Sequence, residues 1–168
     1  GSLSSTFGKV WVTTDGTTVD AGTAKGTNST GHMRLEFDPT CSYGVGVQTW
    51  FGGIFSHGDF KDTNSTNMTF NITSDLYVNI TQPGNSYVNV KGENILFRGS
   101  VNDECPSLVS AATVFFNATN TSVTSSITCT ATSEGNGYYN CSVSTSSLQF
   151  GHYNLTMNAT KQFYNNSR

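Results

Sequence analysis

At 168 residues with a net charge of −3, the chain has no basic footprint for nucleic acid or an anionic membrane surface. Charged residues make up only 11% of it, and the 12% aromatic content with many β-branched residues can fill a core, which excludes disorder by charge excess. No apolar run approaches the roughly 20 residues that span a bilayer. The absence of a signal peptide fits a mature chain or an excised segment of a secreted protein.

Taken from the start, residues 7–13, rich in aromatic and β-branched side chains, predict a strand. Asp15-Gly16 predicts a tight hairpin turn into residues 17–21. A Gly- and Thr-rich loop holding Asn28 follows, and the alternation of residues 32–37 predicts a third strand ended by Asp38-Pro39. Val45, Val47 and Thr49 against Gly46, Gln48 and Trp50 predict another, with Gly52-Gly53 as its turn. Gly44 and Gly46 lack the helix pattern that a phosphate-binding loop needs.

The run 67–81 organises the rest. Met68, Phe70 and Ile72 fall on one face and Asn67, Thr69, Asn71 and Thr73 on the other; Leu76, Val78 and Ile80 then oppose Tyr77, Asn79 and Thr81. Gln82-Pro83-Gly84-Asn85 is a turn cluster and the expected domain boundary, giving 1–83 and 84–168. Strands are predicted beyond it at 87–90, 95–101, 112–116, 123–131, 138–144 and 153–159. Tyr139, Cys141 and Val143 share an inward face there, as do Tyr153, Leu155, Met157 and Ala159. No sustained helical periodicity occurs. The expected fold is all-β, two Ig-like β-sandwich domains in tandem.

Eleven Asn-x-Ser/Thr triplets begin at Asn28, Asn64, Asn67, Asn71, Asn79, Asn117, Asn120, Asn140, Asn154, Asn158 and Asn165, about twice what composition alone would give. The face that the strand pattern turns to water carries Asn67, Asn71, Asn79, Asn140, Asn154 and Asn158 among these acceptors for N-linked glycan, which implies an extracellular, cell-surface location. The four cysteines show no metal spacing and read as two disulfides. Cys129 and Cys141 flank a turn at 133–137 and form the expected hairpin bridge; Cys41 with Cys105 follows by elimination.

Other candidates carry less chemistry. His32, His57 and His152 are far apart and accompany no nucleophile motif, so they read as scattered surface residues. Asp59, Asp62 and Asn64, and Asn102, Asp103 and Glu104, offer oxygen ligands but no EF-hand spacing; solvated loop acids are the expectation over calcium, and no cofactor is expected. Trp11, Trp50, Phe51 and Tyr138 are candidates for a sugar-stacking platform, with Trp50 assigned to the core. Phe7, Lys9, Val10, Trp11 and Val12 form a candidate assembly strand that would pair with the sheet edge of another copy and build a polymer; pairing within its own domain is the alternative.

Gly99-Ser-Val-Asn-Asp-Glu-Cys-Pro106, Val109-Ser-Ala-Ala-Thr-Val-Phe115, Gly137-Tyr-Tyr-Asn-Cys141 and Gly151-His-Tyr-Asn-Leu-Thr-Met-Asn-Ala159 resemble the Ig-like repeats of large archaeal cell-surface glycoproteins. Those repeats are similar to bacterial Ig-like and carboxypeptidase-regulatory-like sandwiches. Cys41-Ser-Tyr-Gly-Val-Gly46 and Lys61-Asp-Thr-Asn-Ser-Thr-Asn67 resemble segments that join consecutive repeats, and the likeness extends over about residues 32–165. It implies a surface module without catalytic residues. The expectation is a non-enzymatic structural glycoprotein of a surface filament or coat, assembled from copies of itself; an adhesin that binds carbohydrate or a partner cell is the alternative.

Overall fold

The structure, a computed structural model, describes residues 7–166. All regular structure among them is β: thirteen strands and no helix, so no helix is long and apolar enough to cross a membrane. The chain divides between Thr73 and Ser74 into two compact units. The turn expected to separate two domains, around Pro83, instead joins two paired strands inside the second unit. Strand pairing, rather than turn chemistry, fixes where the units part.

Among the described residues, the first unit is one sheet. β1 (Phe7–Val12) lies between β2 (Thr23–Gly26) and β3 (Gly46–Ile54), and β3 also pairs with β4 (Thr63–Asn64) and β5 (Met68–Ile72). The hairpin turn at Asp15 forms, since Thr14 N donates to the Thr18 carbonyl, but the returning strand falls at β2 rather than at 17–21. β3 runs through Gly52-Gly53 without turning. Gly53 permits this, because an added Cβ there would stand 2.7 Å from the Thr63 carbonyl oxygen of β4.

Residues 32–37 keep the predicted alternation, with Met33, Leu35 and Phe37 half-buried and Arg34 and Glu36 exposed, yet they belong to no strand. They act as a cover instead. The Met33 side chain reaches over Gly8 and Gly52, and Phe37 meets Phe70 edge-on at 5.5 Å. The apolar face of the sheet is thus closed by an extended segment where a second sheet was expected, so this unit is not a two-sheet sandwich.

A polar network closes one end of that unit. Gln48 is 2% exposed; its Oε1 accepts from the Thr13 hydroxyl and the Gly16 N–H, both at 2.8 Å, and its Nε2 donates to the Gly44 carbonyl at 2.7 Å. A buried amide with every group partnered costs little and fixes the loops it joins.

The second unit is a β-sandwich. One sheet has the order β10-β11-β7-β6-β13: β10 (Thr132–Ser133), β11 (Tyr138–Ser144), β7 (Asn94–Asp103), β6 (Ser74–Gln82) and a parallel edge strand β13 (Tyr164–Asn165). The other has β12 (Tyr153–Thr160), β8 (Thr113–Asn120) and β9 (Ser126–Thr130). Inward residues of both sheets, among them Leu76, Phe97, Val101, Val114, Phe116, Tyr139 and Met157, make one core. The run 87–90 is a loop, not a strand, and Tyr87, Val88 and Val90 are exposed in it.

Candidate functional site

Strand alternation decides which asparagines can carry sugar. On the outward face of the first sheet, Asn71 stands directly across from Val47, and Asn67 and Asn71 are exposed. In the three-stranded sheet of the second unit, Asn117, Asn154 and Asn158 share the outward face with threonines and Phe115, whose cross-strand partner is Asn158. Asn28, Asn64, Asn79 and Asn165 are also exposed, while Asn117 and Asn140 are half-buried.

Asn120 is the exception. It closes its strand facing inward and is 5% exposed. Its Oδ1 accepts from the Ser122 and Val123 N–H groups at 2.8 and 3.1 Å, and its Nδ2 faces the Phe150 carbonyl at 3.5 Å. A glycan needs that nitrogen in solvent, so the folded unit has no room for one there.

All four cysteines are oxidised, and none is free among the described residues. The Cys129–Cys141 bridge joins β9 to β11. Those strands lie in opposite sheets, so the bridge staples the sandwich face to face rather than bracing a hairpin. The chain changes sheets at Ala131, between β9 and β10, which brings the two sulfurs together. Cys41 and Cys105 are also disulfide-bonded.

The candidate assembly strand is engaged within its own unit. Phe7, Lys9 and Val10 pair with β2, and Lys9, Val10, Trp11 and Val12 pair with β3. With both ladder edges of β1 taken, it cannot at the same time add to another copy.

Of the four aromatic candidates, Trp11 and Phe51 come together, while Trp50 and Tyr138 lie elsewhere. Trp11 stacks on Phe51 at 5.3 Å and meets Phe55 edge-on at 4.8 Å, on the outward face of the first sheet. Trp50 points to the opposite face, across from Val12, and is half-buried there. Tyr138 belongs to the second unit and lies under the Arg98 guanidinium at 4.4 Å. Arg98 also forms a two-pronged pair with Glu134 at 2.8 Å, and Asn140 Nδ2 donates to the same carboxylate at 2.8 Å. Those bonds, the Arg98 ones first, hold the Glu134 carboxyl down at about 2.

The loop acids serve turns. Asp62 accepts from the Ser56 N–H, Asp103 from the Cys105 and Ser107 N–H groups, and Glu104 from the Ser74 hydroxyl. Asp15 accepts from the backbone and hydroxyls of Thr17 and Thr18, which pulls its carboxyl far below the ordinary range. His32 meets the Thr30 hydroxyl and His57 accepts from the Asp59 N–H; both are local contacts.

Sequence reasoning missed a cleft of about 830 Å³ at one end of the sandwich. The β6–β7 loop and the β11–β12 loop flank it, and its floor is the unfilled end of the core at Phe97, Ala118 and Leu155. Lys91 Nζ lies 4.9 Å from the centre of the Phe150 ring, which is 81% exposed. Tyr153 donates to the Gln149 carbonyl at 2.9 Å, and bonds led by those to Ser125 and Asn120 lower its hydroxyl pKa.

No family model and no curated protein matches the chain. Among solved structures, it is similar to the crystal structure of a tetra-tandem repeat in the extending region of a large adhesion protein, with a TM-score of 0.52 and 15% identity. The likeness covers 99% of this chain and 40% of that one. At this identity it shows a shared all-β fold.

Proposed function

We propose that this chain is a non-enzymatic, N-glycosylated structural module of the extracellular surface, working in copies as part of a filament or coat of the archaeal surface-glycoprotein kind. One observation carries the reading. Two apolar side chains left exposed on outward sheet faces have acceptor asparagines as direct cross-strand partners: Val47, 49% exposed, faces Asn71, and Phe115, 42% exposed, faces Asn158. An outward aromatic on a sheet face invites association unless something covers it. A glycan rooted on the opposite strand, about 5 Å away at Cβ, is placed to be that cover.

Two further features support it. Four oxidised cysteines suit a compartment where disulfides persist. The structural neighbour is a repeat from an extending region, and a spacer of that kind needs a stiff, protected module more than a reactive site. Because β1 is interior to its sheet, strand addition between copies would use an edge strand instead.

Electron microscopy of the purified glycoprotein tests the assembly. Ordered filaments or sheets are expected at high concentration, and dispersed single particles at every concentration would contradict the polymer reading.

A further inference from the structure

We propose that the cleft at the end of the second unit is a binding site for an acidic saccharide, a sugar bearing a carboxylate. This goes beyond the structural role and does not depend on it.

The cleft has the size of a small-ligand site, which runs from about 300 to 1,000 Å³. Its mouth offers Phe150 at 81% exposure and Tyr87 at 56%. A large ring left in water at a cleft mouth is costly unless a flat, partly apolar partner covers it. The C–H face of a pyranose is such a partner. Asn89 and Gln149 add amides suited to ring hydroxyls.

Charge narrows the class. The chain is net negative, yet no Asp or Glu lines the cleft, while Lys91 and His152 do. Lys91 stands over Phe150 and forms no ion pair among the described residues. A cation beside a stacking ring, with no acid to neutralise it, fits a sugar whose ring carries a carboxylate. One lysine is too little for nucleic acid, where affinity comes from neutralising several phosphates.

The position of Asn154 adds a consequence. This acceptor asparagine also lines the cleft, so a glycan on it stands at the rim. Ligand entry therefore depends on whether that sugar is present.

The test is saturation-transfer NMR on the purified full chain, with N-glycans intact and after their enzymatic removal. The probes are a glucuronate-containing disaccharide and its neutral glucose counterpart. Transfer to the acidic probe is expected, in at least the deglycosylated protein. Lys91→Gln should weaken the acidic probe about tenfold, as loss of a charge-assisted contact does, and leave the neutral one unchanged. Phe150→Ala should weaken both. Each side chain is at the surface, so unchanged melting temperatures would show that the variants fold. No transfer to either probe, equal binding of both, or indifference to both substitutions would overturn the assignment. None of these outcomes bears on whether the glycoprotein polymerises, so the two readings fail separately.

Discussion

The Tyr139 hydroxyl donates to the Val109 carbonyl at 2.9 Å, inside the sandwich. It also accepts from the Ala112 N–H at 2.9 Å, so one buried phenol ties β11 to the connection between β7 and β8. Tyr139 is 1% exposed and Val109 4%. Tyr139→Phe keeps the packing and strands a carbonyl and an N–H. It should lower unfolding stability by about 1–3 kcal/mol, read as a drop in urea midpoint at constant slope.

The face-to-face staple makes a second prediction. Replacing Cys129 and Cys141 together by serine frees two strands of opposite sheets, joined by cysteines at a sequence separation of 12. Closing a loop of that size contributes about 3 kcal/mol. The double variant should therefore melt several degrees lower than the parent, and a midpoint unmoved by its loss would deny the bridge a structural role.

Acid should loosen the cluster around Glu134. Its carboxyl is held at about 2, against an ordinary 4.5, by Arg98 first and Asn140 second. A depressed acid contributes stability that is complete above about pH 4.5 and lost as pH falls toward 2. Glu134→Gln should flatten the stability profile in that window and change little at pH 7 in high salt, since the pair is partly exposed. Asn140 keeps one N–H on Nδ2 after glycosylation, so the contact and a sugar can coexist.

In the first unit, Gln48→Leu should strand the Gly16 N–H and the Gly44 carbonyl, which the amide now satisfies. A loss of about 1–3 kcal/mol is expected, with chemical shift changes concentrated at residues 13–16 and 44–48. Changes spread evenly over the sheet would contradict the local network.

Much of the second unit was legible because its strands obey a strict two-residue period: 138–144 is β11 to the residue, and 153–159 is β12 but for one position. The first unit was less so. Residues 32–37 show the same period, but Met33 and Phe37 spend it on covering a sheet face rather than joining a sheet, and periodicity alone cannot separate the two. Pro83 looked like a boundary because turn residues mark domain linkers and hairpins alike. Asn120 carries a good triplet, but it ends its strand facing inward, where the backbone takes its side chain. The end-of-sandwich cleft was invisible, since it arises from two loops that meet only in the fold.

Where sugar can and cannot sit is measured most directly by glycopeptide mapping of the intact chain. Glycan on Asn71 and Asn158, a bare Asn120 and no free thiol are the predicted result. Unmodified asparagine throughout with four free thiols, or sugar on Asn120 in the folded protein, would contradict it.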